Sequence, residues 1–146
     1  MNRSDLKNIR LLNDQIAGGV MRIADLKSRA LPSAIRFDDT GGSHPAPVNK
    51  IEEVFCLIDK EEKRVNRLID KRYKLKQQAI KEIRETCRDY ADRHILYLRY
   101  LSRTPDGNNL EWSDIERYVG KYHNISLRRI YQIHNIAVRR MEKHNI

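Results

Sequence analysis

The densest set of side chains able to do chemistry lies near the C-terminus, in Ser126-Leu127-Arg128-Arg129-Ile130-Tyr131-Gln132-Ile133-His134-Asn135. Ile130, Ile133, Ala137 and Met141 recur at helical spacing and define an inward side. The other side of the same helix then shows Arg128, Arg129, Gln132, Asn135, Ile136 and Arg139. An arginine fork matches guanine O6 and N7, and the amides of Gln and Asn match adenine N6 and N7. Arg128, Arg129, Gln132 and Asn135 are therefore the candidate base readers, in the early turns where a recognition helix meets bases. Arg139, Arg140 and Lys143 lie further along and suit phosphates. Ser126 is a natural N-cap, and the helix N–H groups beside it can meet a phosphate.

Other chemistries find little support. The chain carries no Gly-rich phosphate loop, no G-x-S-x-G and no H-E-x-x-H. Its five His and two Cys lack metal-ligand spacing. His134 is expected in the core and His44 in a solvated loop. The paired carboxylates Asp38-Asp39 and Glu61-Glu62 fall in a linker and on a solvated helix, with no dry pocket to separate their pKa values. The expectation is a protein without enzymatic activity, metal or cofactor.

The charge balance agrees with a polyanionic partner. Of 146 residues, 29 are Lys or Arg and 20 are Asp or Glu, for a net charge of +9. From Arg117 onward seven basic residues face Glu142 alone, so +6 sits in the last 30 positions. Such a pole fits nucleic acid or an anionic surface. No apolar run approaches a membrane span, and the N-terminus leads into no signal-peptide core. The two cysteines form no disulfide framework, so a reducing, intracellular compartment is expected.

Long helices must position the pole. Much charge with only 6 Gly and 4 Pro favours an all-α chain. Residues 1–30 read as an N-terminal helix beginning at a Ser4 cap, with Leu6, Ile9, Ile16, Val20 and Ile23 as a heptad-like stripe, Asn13 in its gap, and Gly18-Gly19 as a kink, a point of close helix contact or a tolerated weak spot. Residues 31–48 hold three prolines and two glycines and read as a flexible linker. Residues 49–90 read as a long coiled-coil-like helix with an Asn49/Glu52 capping box. Its stripe runs Ile51, Val54, Ile58, Val65, Leu68, Ile69, Leu75, Ala79, Ile80 and Ile83. The first two helices should form a hairpin whose spare apolar surface meets another copy or another protein. Cys56 and Cys87, too far apart on this helix to bridge, are expected to be buried thiols.

Residues 91–146 read as a helix-turn-helix domain of three helices. Ile95, Leu96, Leu98 and Leu101 line one side of the first. Pro105-Asp106-Gly107 marks a turn. Ser113 and Glu116 offer a capping box for the second helix. A turn over Gly120 to Ile125 then leads to the Ser126 cap.

Leu96-Tyr97-Leu98-Arg99-Tyr100-Leu101, Trp112-Ser113-Asp114-Ile115 and Ser126 to His134 together resemble the C-terminal module of phage transcriptional activators of the RinA/ArpU type. That module is similar to region four of bacterial sigma factors. The likeness covers about residues 93–141. It implies a helix-turn-helix whose base-facing positions are Arg128, Arg129 and Gln132, with His134 in the core. This chain departs from the family pattern in a longer loop from Ser102 to Glu111, in four extra connecting residues (Lys121 to Asn124), and in Glu116 where the family has a small residue.

The resulting expectation is a sequence-specific regulator of transcription binding double-stranded DNA, by resemblance a phage late-gene activator. It would act as a homo-oligomer, with a dimer favoured, and could contact RNA polymerase. Two rival readings are a DNA-packaging subunit resembling a small terminase, and a coiled-coil protein that binds RNA polymerase rather than DNA. Light-scattering mass separates a dimer from a packaging ring. Salt-sensitive binding to naked duplex separates a DNA reader from a polymerase binder.

Overall fold

The computed structural model describes residues 1–39 and 48–144, with side chains from 1–30 and 50–144. These residues are helical throughout apart from short connections, and their only β pairing is an isolated bridge between Arg103 and Asn109. The all-α expectation holds.

α1 spans Arg3–Asp39 and α2 spans Val48–Thr86. Both differ in extent from the sequence reading. α1 was expected to stop at Ala30, with a linker over 31–48, yet its backbone stays helical through Pro32 to Asp39. A proline inside a helix loses one donor and crowds the carbonyl four residues back, which does not end this one. The remainder of that linker, residues 40–47 with His44, lies outside the described residues. α2 begins at Val48, so Asn49 is inside the helix and not its cap. It ends at Thr86, four residues before the expected Tyr90.

The chain divides into two compact units, and the boundary is not the expected one. One unit is Gln15–Ile69. Within it Ile16, Ile58 and Val65 are buried, and Gly19 meets Val65 so closely that a methyl group there would overlap Val65 Cγ2. Gly19 therefore marks a close helix contact, whereas Gly18 faces open space. Glu61 bonds Arg64 at 2.7 Å and lies 3.9 Å from Arg22, and Lys27 pairs with Glu62 at 3.4 Å. Val20, placed on the inward stripe by the heptad reading, is exposed, as are Met21, Phe55 and Leu57. Cys56 is exposed too, against the expectation of a buried thiol.

The other unit joins Met1–Asp14 to Asp70–Ile146. The start of α1 and the end of α2 thus belong with the C-terminal helices. Three helical arms follow α2. The first is α3, Tyr90–Leu96, which widens into a π-helical turn over Tyr97–Leu101. There the Ser102 N–H reaches the Tyr97 carbonyl at 2.8 Å. The second arm is α4, Trp112–Ile115, a further π-helical turn over Glu116–Gly120, and α5, Lys121–His123. The third is α6, Leu127–His144.

Two apolar cores hold this unit. Leu6 and Ile9 of α1, Ala79 and Ile83 of α2, Cys87, Leu96, Tyr100, and Ala137, Val138 and Met141 of α6 form one. Ile95, Leu110, Ile115, Val119 and Ile130 form the other, with Leu98, Trp112, Ile125 and Ile133 against it. The first arm therefore buries Leu96 in one core and Ile95 in the other, where a single apolar side was expected. A fully buried aliphatic side chain contributes about 1.5–3 kcal/mol, so Leu6 and Ile9 bind α1 firmly to this unit. Asn13, the polar gap in the stripe, is buried, accepting from Arg72 at 3.0 Å and donating to Asn109 at 2.8 Å.

Candidate nucleic-acid interface

The second arm and α6 build the site. The cap of α4 is one residue pair earlier than expected: Glu111 is the N-cap, and its N–H donates to Asp114 Oδ2 at 2.9 Å. Ser113 and Glu116 are both exposed. Ile115 and Val119 then face Ile130 across the core. Lys121, Tyr122 and His123, read from the sequence as extra connecting residues, continue the helix as α5. Only Asn124, Ile125 and Ser126 remain as connection. Asn124 takes a left-handed conformation at φ 53°, which Asn tolerates and which ends a helix sharply. Gly120 lets the turn fold back closely, since a Cβ there would stand 3.2 Å from the Ile125 carbonyl. Three connecting residues are what a helix-turn-helix uses.

Ser126 caps α6 as expected. Its Oγ accepts the Arg129 N–H at 3.3 Å, and its carbonyl accepts the Ile130 N–H at 3.0 Å. Ile130, His134, Ala137, Val138 and Met141 are buried, and Ile133 is half-buried. Arg128, Arg129, Gln132, Asn135, Ile136, Arg139, Arg140 and Lys143 are all exposed. The structure thus brings the candidate base readers onto one accessible face with Arg139 and Lys143. Arg129 Nη1 donates to Gln132 Oε1 at 3.3 Å, linking two of the candidate readers. Arg140 lies at the flank, where it pairs with Asp92 Oδ2 of α3 at 3.4 Å. Burial, then the neighbouring Asp89, pushes the Asp92 carboxyl up, while Arg140 and Arg129 pull it down.

Aromatic side chains support the other flank. Trp112 lies edge-on to Tyr131 at 4.7 Å and to His134 at 4.9 Å, and Arg99 stacks over its ring at 4.4 Å. His134 is in the core, as expected, and shares a 2.7 Å hydrogen bond with the Tyr100 hydroxyl. Burial holds its pKa down at about 4, a hydrogen bond to Asn135 opposes that, and the charges of Arg3 and Arg99 add to it. The ring is therefore neutral at pH 7.

Two features escaped the sequence. His94 Nδ1 and His123 Nε2 stand 3.4 Å apart, ringed by Tyr90 and Tyr122. Burial and then His123 push His94 down. The two histidines are 29 positions apart, without a shared pattern. The second is the beginning of α1. Arg3 Nη2 donates to Asn135 Oδ1 at 3.2 Å, and the Arg3 N–H donates to Glu142 at 3.2 Å. Heptad spacing marked this stretch for helix pairing, not for a site.

Among the described residues no three His, Cys, Asp or Glu converge as metal ligands, and no helix is long and apolar enough to cross a membrane. Comparisons with family models, curated proteins and solved structures gave no match to this chain.

Proposed function

We propose that the chain is a DNA-binding regulator that reads the major groove with α6. The observation that carries this reading is the exposed face of α6. Arg128, Arg129, Gln132, Asn135, Arg139 and Lys143 are accessible there, while Ile130, Ala137 and Met141 fix the helix from behind. A helix entering the groove needs base-reading forks near its start and cations for phosphate further along. α6 has both, and a tight turn sets its angle to the preceding arm. The net charge of +9 supplies long-range attraction to the duplex.

The narrower reading, a phage late-gene activator that also contacts RNA polymerase, rests on the resemblance of residues 93–141 alone. A dimer is the assembly proposed, because Val20, Met21, Phe55 and Leu57 expose apolar surface on the unit Gln15–Ile69. A second DNA-binding copy would raise avidity.

The test is binding of the full chain to a mixed-sequence duplex over a salt series. Log affinity should fall with log salt at a slope of about −0.9 per phosphate contact. Arg139→Ala should make the slope shallower by about that amount. Binding that is absent, or insensitive to salt, would overturn the reading.

A further inference from the structure

An open cleft of about 470 Å³ lies beside the recognition face. One wall is the start of α1, with Arg3, Lys7, Arg10 and Asp14. The other carries Trp112, Tyr131 and Asn135, with Arg99 also lining the cleft. Asn135 belongs to the exposed face of α6, so cleft and face are continuous.

The charges in this cleft differ in how far they are spent. Arg10 donates to the carbonyls of Arg99 and Leu110 at 2.8 and 2.9 Å and pairs with Glu111 at 3.3 Å. Arg99 stacks on Trp112 and lies 3.8 Å from the same Glu111 carboxylate. Asp14 accepts from Asn109 at 2.8 Å. These groups build the wall. Lys7 is exposed at the mouth, and Arg3 reaches across it to Asn135.

The wall is also rigidly seated. Leu6 and Ile9 are fully buried in the core that holds Ala137, Val138 and Met141 of α6. The Asn109 amide bonds the Arg10 carbonyl at 3.0 Å, tying α1 to the loop before α4. Two cations on a fixed helix, one turn apart and flanking a groove-reading helix, meet the requirement for a backbone contact that sets register.

We propose that Arg3 and Lys7 each contact a DNA phosphate beside the recognition helix, so that the first turns of α1 are part of the DNA-binding surface. This rests on the reading of α6 above. It assigns α1 two tasks, with Arg3 and Lys7 outward to the duplex and Leu6 and Ile9 inward to the core. Arg3 also positions Asn135, holding its carbamoyl group at the edge of the reading face.

The experiment is the same salt series, with full-length variants whose helicity is checked by circular dichroism. Lys7→Ala should weaken binding several-fold near 0.15 M salt on every sequence and flatten the slope by about 0.9. Lys7→Arg should restore both. The Arg3→Gln/Lys7→Ala double variant should lose about twice that slope. If Lys7→Ala matches the parent in affinity and slope while Arg139→Ala weakens binding, the clamp is wrong and the α6 reading stands. If the parent shows no salt-sensitive binding, both fall together.

Discussion

Acidification should destabilise the C-terminal unit through His134, by an amount the structure sets. The ring is 7% exposed, and its folded pKa is about 4, against an ordinary 6.5. The folded state therefore binds the proton more weakly than the unfolded chain does. Stability from the neutral ring is complete above pH 6.5 and is lost as the pH falls toward 4. One pKa unit is worth about 1.4 kcal/mol, so full titration costs about 3 kcal/mol. Most of that, about 2.5 kcal/mol, should be gone between pH 7 and pH 4.5. The assay is urea unfolding of the parent and of His134→Gln at stepped pH. Carboxylates titrate in both, so the difference between the two curves isolates the imidazole. Gln does not titrate and can still meet the Tyr100 hydroxyl. The parent should lose about 2.5 kcal/mol more than the variant over that interval. Parallel curves would refute the buried, neutral imidazole and with it the Tyr100–His134 link in the core.

Adjacent glycines should respond in opposite directions. Gly19→Ala should destabilise by about 1–3 kcal/mol through overlap with Val65. Gly18→Ala, with open space around it, should stabilise by about 1 kcal/mol, and thermal melts separate the two. Ser126→Ala should cost about 1 kcal/mol by removing the cap on Arg129 N–H, read in the same melts. A thiol reagent should label exposed Cys56 at once and Cys87 only on unfolding, since Cys87 is buried and desolvation pushes its thiol up.

The helix α6 was legible because its signals are local. Ser126 precedes an apolar series at helical spacing, and the cap bond and the buried Ile130, Ala137 and Met141 follow from it. The turn at Pro105-Asp106-Gly107 was legible for the same reason: Gly107 adopts φ 85° and its N–H closes on the Thr104 carbonyl at 2.9 Å. The connection before α6 misled because Gly120 reads as a helix breaker, whereas here it keeps a helical conformation and makes room for the returning chain. The α4 cap was misplaced because Glu111/Asp114 and Ser113/Glu116 share the same spacing, and tertiary context chooses between them.

The division into units was harder to see. A heptad stripe states that Leu6, Ile9 and Ile16 face inward, but not toward what. Leu6 and Ile9 meet α6 and the end of α2, whereas Ile16 lies in the other unit. The contacts of Arg3 with Asn135 span 132 positions, and no local pattern encodes them.

The most direct test of the central claim is selection of bound duplexes from a random pool by the full chain at ~0.15 M salt, where non-specific binding is weakened. Arg128→Ala runs beside the parent. The account predicts one enriched motif, lost or relaxed at a single position in the variant, with a cost of about 1–3 kcal/mol on the selected site. A pool that stays random, or a motif that Arg128→Ala selects unchanged, would contradict base reading by α6.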